Sequence, residues 1–229
     1  MGSSRRSPAS VSPPRYALAG AAEPSADSPV NEPLRLVIYD ATQAERPPRL
    51  LGFSWRAGSL LYRARGAIDA SFGARSFSEA LAWLARFERP IGELQFWGHG
   101  KWGRILIDQE SFDRSALGAT HRLRPQLEAL RERLAPGALL WFRTCETLGA
   151  HAGQDFARSL GDFTGARVAG HTFVIGYFQS GLHALAPGAI PAWDPSEGLA
   201  AGTAARPERA LPSAPGLPNT VTCLRARLP

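Results

Sequence analysis

Three apolar runs constrain this chain most: LRLVIYD at 34–40, ELQFW at 93–97 and ALLWFRT at 138–144. A run of that kind has no polar face to offer water, so as a strand it must be covered on both sides. Such strands belong to mostly parallel sheets, whose crossover connections lay helices over the faces. The helices are legible between the runs. SFSEALAWLARFE (76–88) opens with a capping box, Ser76 with Glu79 three residues on, and puts Phe77, Leu81, Leu84 and Phe87 on one stripe. A second helix aligns Leu123, Leu127, Leu130 and Leu134, has Pro125 in its first turn and stops at Pro136-Gly137. A third, over 150–162, carries Phe156 and Leu160, and Phe163 continues its stripe. LLYRARGAIDA (60–70) reads as a second strand ending near Asp69, Arg104–Ile107 as part of a hairpin, and ARVAG (166–170) and TFVIGYF (172–178) as closing strands. The expected fold class is α/β, a three-layer sandwich with a mostly parallel central sheet.

Proline crowds the two ends of the chain. Residues 1–33 therefore read as a disordered Pro/Ser/Ala-rich leader and 200–229 as a mobile Pro/Ala-rich tail, because neither shows periodicity or enough apolar surface to offset ordering entropy. TVTCLRARL, inside that tail, is compatible with a short edge strand. The folded unit is expected over 34–199.

The net charge of +6 invites nucleic acid as a partner. The pattern argues otherwise: of 26 basic residues only Lys101 is a lysine, the arginines are interspersed with Asp and Glu, and no basic helix forms. A solvated, mildly basic surface with no specific nucleic-acid partner is the expectation. Two cysteines make no disulfide scaffold. No apolar run approaches the ~20 residues that span a bilayer. MGSSRRSPASVSPPR has a twin arginine but no apolar stretch behind it. A cytoplasmic, reducing setting without a membrane partner follows as an expectation; nothing in the sequence bears on oligomeric state.

Sites on open parallel sheets form outside the carboxyl ends of the strands. Asp40, Asp69, His99, Cys145 and His171 all stand at or just past expected strand ends. His99 and Cys145 are 46 positions apart with a helical crossover between them, the spacing of neighbouring parallel strands about 4.8 Å apart. A histidine in reach of a thiol can generate the thiolate that attacks a carbonyl, so Cys145 is expected to be more reactive than Cys223. Gly98 and Gly100 flank the histidine and, lacking Cβ atoms, would leave room for a substrate backbone. The Gly100 amide would then help bind an oxyanion. Asp40 and Asp69 offer an acidic pocket for Arg or Lys, with His171 as a further lining residue.

Each of these has a plainer reading. A cysteine after a buried strand is often an inert small hydrophobe. His-Gly is a common turn, Asp caps turns, and His171 suits core packing. Trp97, Trp102 and Trp141 serve equally as core or as cleft lining. His121, His151 and His183 read as surface residues. A zinc site from Cys145, His99 and His171 lacks any paired-ligand spacing, and nucleotide-binding and serine-hydrolase motifs are absent. No metal or cofactor is expected.

The segments ELQFWGHGKWGRILID and ALLWFRTCETLGAHAGQDFARSLGDFTGARVAG carry a resemblance. An apolar strand ending in His-Gly, then a helix, then an apolar strand ending in Cys is similar to the caspase-like (clan CD) cysteine peptidases, and within them to a bacterial CHAT-like branch. The resemblance covers roughly residues 34–178. It implies a caspase-like fold with His99 polarising the scissile carbonyl or acting as base, and Cys145 as nucleophile. The amides of Gly100 and Cys145 would form the oxyanion hole, for a protein or peptide substrate. Thr144 and Glu146 depart from the context of the cysteine in many active members. The same resemblance accommodates a second class of function, an inactive caspase-like interaction module in a bacterial defence or signalling system.

Overall fold

The computed structural model describes residues 32–44, 50–225 and 227–228. The leader read over 1–33 lies outside the described residues, apart from its last two positions. The chain runs β1 (Leu34–Asp40), α1 (Leu50–Ala64), β2 (Ala70–Ala74), α2 (Phe77–Leu84) and β3 (Ile91–Trp97). A three-stranded antiparallel sheet follows, made of β4 (His99–Lys101), β5 (Arg104–Ile107) and β6 (Glu110–Asp113). Then come α3 (Arg124–Arg133), β7 (Leu134–Arg143), α4 (Ala150–Thr164), β8 (Arg167–His171), β9 (Phe178–Gln179) and β10 (Leu182–Leu185). The last elements are β11 (Leu199–Gly202), β12 (Pro207–Ala210) and β13 (Val221–Thr222).

The central sheet has six strands in the order β10-β8-β7-β3-β1-β2. All its pairings are parallel except β8 with β10. The three largely apolar runs are therefore interior strands, covered on both sides as expected. Side-chain alternation divides them between two faces. Leu36 and Ile38 of β1 and Leu140 and Phe142 of β7 join a core with α2, α3 and α4, including Phe77, Leu84, Leu127, Leu130, Phe156 and Leu160. Val37 and Trp97 point the other way, into a cluster with Tyr62 of α1 and Ile68. Helices thus flank the sheet on both sides. Among the described residues no helix is long and apolar enough to cross a membrane.

Three sequence readings are corrected. LLYRA (60–64) is the end of helix α1, and the strand begins after Asp69 rather than ending there. Tyr62 is buried against the sheet while Leu60 and Leu61 are 55% and 40% exposed, so the apolar letters do not form one buried strip. Gly66, at φ +63°, turns the chain from helix toward strand. TFVIGYF is a loop until Phe178. Val174 exchanges backbone hydrogen bonds with Leu211 (3.0 Å) and Ser213 (2.8 Å), outside the sheet.

The third correction concerns the tail. The boundary at 199/200 cuts through β11, which pairs with β12, and β13 adds antiparallel to β9. The physical reason is a gap in the helical cover. Among the described residues no helix side chain joins the cluster of Trp141, Ala169 and Leu182, and buried Val221 closes that patch. A cover that contributes two apolar side chains, Val221 and Leu228, and several carbonyls leaves no periodic trace in sequence.

Candidate functional site

β3 and β7 pair in register with Trp97 opposite Arg143. His99 and Cys145 each stand two residues beyond that pair, so both leave the sheet at the same level from adjacent strands. Both line one cleft of about 520 Å³. Its walls are Trp55 and Tyr62 of α1, Trp97 and Arg143 from the sheet, Ile175 and Tyr177 from the loop before β9, and Cys223 from the chain after β13.

The His99 ring meets the Trp55 indole edge-on at 5.6 Å, which fixes it against α1. Gly100 is where the two loops lock. A Cβ there would come within 2.1 Å of Thr147 Oγ1 and 2.8 Å of the Cys145 carbonyl oxygen. At Gly98 the same atom would strike the Phe96 ring at 2.8 Å. Neither glycine leaves open room beside His99, as the sequence suggested; both allow close packing.

After Cys145 the chain turns sharply. Glu146 (φ +36°) and Ala150 (φ +60°) occupy left-handed backbone conformations, which cost on the order of 1–3 kcal/mol each for such residues. The turn is held by the Glu146 amide donating to Phe173 O (2.9 Å), the Leu148 amide to His171 O (3.0 Å) and a Thr144–Thr147 hydroxyl contact at 2.6 Å. A strained, heavily bonded turn holds Cys145 in the cleft lining.

The half-buried Cys145 thiol donates to the Ile175 carbonyl at 3.9 Å. Burial pushes its pKa up, and the Glu146 carboxylate adds to the rise against the lowering contact of the Ile175 backbone. The expected acidified thiol is therefore not the state seen. Glu146 is itself buried and its carboxyl raised by desolvation, with Lys101 pulling the other way.

Arg143 is a functional candidate that the sequence reading passed over. It is buried, yet among the described residues its guanidinium bonds only neutral acceptors: Gln179 Oε1 (3.0 and 3.1 Å), the Tyr62 hydroxyl (2.8 Å), Gln95 Oε1 (3.5 Å) and the carbonyls of Cys223 (2.7 Å) and Arg225 (3.1 Å). Its carbon lies 4.8 Å from the Trp141 ring centroid and 5.4 Å from that of Trp97. The signal was available, since a charge ending an apolar strand two residues before a candidate nucleophile has few structural excuses. Gln179 and Cys223 gave none: Gln179 stands in a strand of two residues, too short for a periodic signal, and the tail brings in Cys223.

The acidic pocket is not there. Asp40 is buried and accepts from the Thr42 amide (2.9 Å), the Thr42 hydroxyl (2.6 Å) and the Asp108 amide (3.3 Å), capping the turn after β1. Asp69 precedes β2, accepts from the Arg35 amide (2.7 Å) and faces its guanidinium. Neither lines the cleft, whose buried charge is a cation. His171 is fully buried, donates from Nδ1 to Ser180 O (3.1 Å), and burial drives its pKa down to about 3. It is a neutral core histidine outside the cleft lining. Of the tryptophans, Trp97 lines the cleft, Trp141 is core, and half-buried Trp102 lies under Lys101. Among the described residues no three His, Cys, Asp or Glu side chains are grouped to hold a metal ion.

Residues 72–183 match a family model described as a domain of unknown function (DUF4347). That stretch runs from β2 into β10 and contains His99, Arg143 and Cys145; β11, β12 and β13 lie beyond it. No curated protein matches the chain.

Proposed function

We propose that the cleft binds an extended peptide and that the domain is a caspase-like cysteine peptidase, with Cys145 as nucleophile and His99 as its proton-transfer partner. One observation carries this reading: two residues read from strand ends open into the same cleft, at the same level of adjacent parallel strands. The Gly100 contact with the Cys145 carbonyl fixes the two loops together, so the relative placement of imidazole and thiol does not depend on a mobile segment. In the reaction, Cys145 Sγ bonds to the scissile carbonyl carbon and its proton passes through His99 to the leaving amine. Water then hydrolyses the thioester and restores the thiol. The resting thiol, protonated and turned to Ile175, must swing from that carbonyl toward His99 when a peptide enters.

This reading predicts two reactivities for one sulfur. Iodoacetamide should label Cys145 slowly at neutral pH, with a midpoint above the ordinary thiol value of about 8.5. A panel of peptidyl acyloxymethyl ketones should label it at neutral pH, and His99→Ala should abolish that labelling. Gly100→Ala should weaken it strongly, because the added methyl separates the two loops. Peptidyl labelling that survives His99→Ala, or that fails across the panel, would overturn the peptidase reading.

A second reading, a peptide-binding module without catalysis, is favoured by the raised thiol pKa and the Ile175 hydrogen bond. It takes over if the panel binds without labelling.

A further inference from the structure

Arg143 presents an electrostatic problem that the fold solves provisionally. A buried guanidinium has lost its water and is best compensated by a carboxylate, which matches its planar fork with two charge-assisted hydrogen bonds. Here, among the described residues, every acceptor it touches is neutral. Glu93, the carboxyl that feels its charge, is engaged instead by Gln95 Nε2 at 2.6 Å.

Two of the acceptors, the Cys223 and Arg225 carbonyls, belong to a weakly fastened segment. Among the described residues its ladder is the two-residue pairing of Val221 with Gln179 and Thr222 with Phe178, extended by one bond from the Cys223 amide to Tyr177 O (2.8 Å). Beyond it, the Tyr62 hydroxyl donates to the same two carbonyls, and Leu224 is 45% exposed. Cys223 and Leu224 nonetheless line the cleft that holds His99 and Cys145. The chain's own segment thus lies where an incoming peptide would, added as a strand to β9.

We propose that Arg143 is the specificity-determining residue of this cleft, binding a carboxylate of an extended acidic peptide in place of the Cys223 and Arg225 carbonyls. The inference rests on the cleft's binding a peptide and is independent of whether Cys145 is reactive. It reverses the preference expected from Asp40 and Asp69: the cleft selects acidic peptides and rejects basic ones, because a second cation beside Arg143 would be repelled without solvent to screen it.

The test uses the full chain carrying Cys145→Ala, so that binding is read without turnover. The probes are acetylated, amidated octapeptides built on the Val-Thr-Xaa-Leu order of residues 221–224, with Asp, Asn or Arg at Xaa. A fourth probe is the Asn peptide with a free terminal carboxylate. Calorimetry should rank Asp about tenfold or more above Asn, the worth of one charge-assisted pair, with Arg weakest. Hydrogen exchange at 221–225 should quicken as the Asp peptide binds. Arg143→Gln should erase the Asp preference, and Arg143→Lys, which keeps the charge without the fork, should retain part of it. A free-carboxylate Asn peptide that matches the Asp peptide would assign the carboxylate to a chain terminus; one that matches its amidated form would assign it to a side chain. Either supports Arg143. Equal binding of Asp and Asn peptides alongside equal binding of the two Asn forms, an Asp preference that survives Arg143→Gln in a folded protein, or unchanged exchange at 221–225 would overturn the proposal while leaving the peptide cleft standing. If no probe binds, the peptide-cleft reading falls and the proposal with it. Should Arg143→Gln not fold, the peptide ranking and Arg143→Lys still decide.

Discussion

On one face of the central sheet, Leu36, Ile38, Leu140 and Phe142 lie under three helices; on the other, Val37 lies under α1 and Trp141 clusters with the tail side chains of Val221 and Leu228. The first face is a continuous apolar core. The second carries Gln95, Tyr62 and Arg143 among its indoles and opens into the cleft. A single step along a strand moves from one to the other, Phe142 to Arg143 or Phe96 to Trp97. The pleat therefore separates the work: the helical face supplies stability, and the face with the irregular cover holds the polar groups that a ligand can reach.

Substitutions that strike one face at a time should break or sharpen that division. The largest effect is expected from Phe156→Ala, which empties the centre of the helical face where the ring meets Phe112 and Phe142. It should cost about 3–5 kcal/mol in denaturant unfolding while leaving probe binding at the cleft intact in the protein that remains folded. Loss of binding in step with stability would show that the faces are not separable.

Acid comes next. His171 titrates near 3 in the folded chain and near its ordinary 6.5 when unfolded, so between those values the unfolded chain holds a proton that the native one excludes. Stability should fall as pH is lowered from about 6.5 toward 3 and show no contribution from this group above 6.5. His171→Gln, which cannot titrate, should flatten that slope measurably in urea titrations at pH 4 and 7; an unchanged slope would remove His171 as the cause.

The smallest effect belongs to the irregular cover. Tyr62→Phe deletes the hydroxyl shared by Arg143 and the Cys223 and Arg225 carbonyls. A cost of about 1–2 kcal/mol is expected, concentrated as faster hydrogen exchange at 221–225. Exchange that quickens equally in α4 would mean the cover is part of the main core.

The same division governs what could be read from the amino-acid order. Strands buried on both faces announce themselves as apolar runs, and α2, α3 and α4 as stripes, because burial on the helical face is periodic. His99 and Cys145 were legible because parallel strands deliver their ends to one edge. Asp40 and Asp69 misled because a carboxylate at a strand end satisfies turn amides as readily as it lines a pocket. Leu60-Leu61-Tyr62 misled because only Tyr62 of the three faces the sheet. The cover over Trp141 was illegible for a different reason: it acts through Val221, Leu228 and main-chain carbonyls, and a carbonyl is the same in every residue.

The bonds between Arg143 and the carbonyls of Cys223 and Arg225 span 80 and 82 positions, and those of Tyr62 span 161 and 163. Closing such long loops adds little to the equilibrium cost, since that grows only logarithmically, but it places their formation late. During synthesis the guanidinium leaves the ribosome well before these two carbonyls do. At about 5–20 residues per second, the interval is roughly 4–16 s. For that time the nascent sheet carries a cation without its two tail carbonyls and an open cleft beside Cys145, which is when a chaperone or an early ligand would have freest access to it.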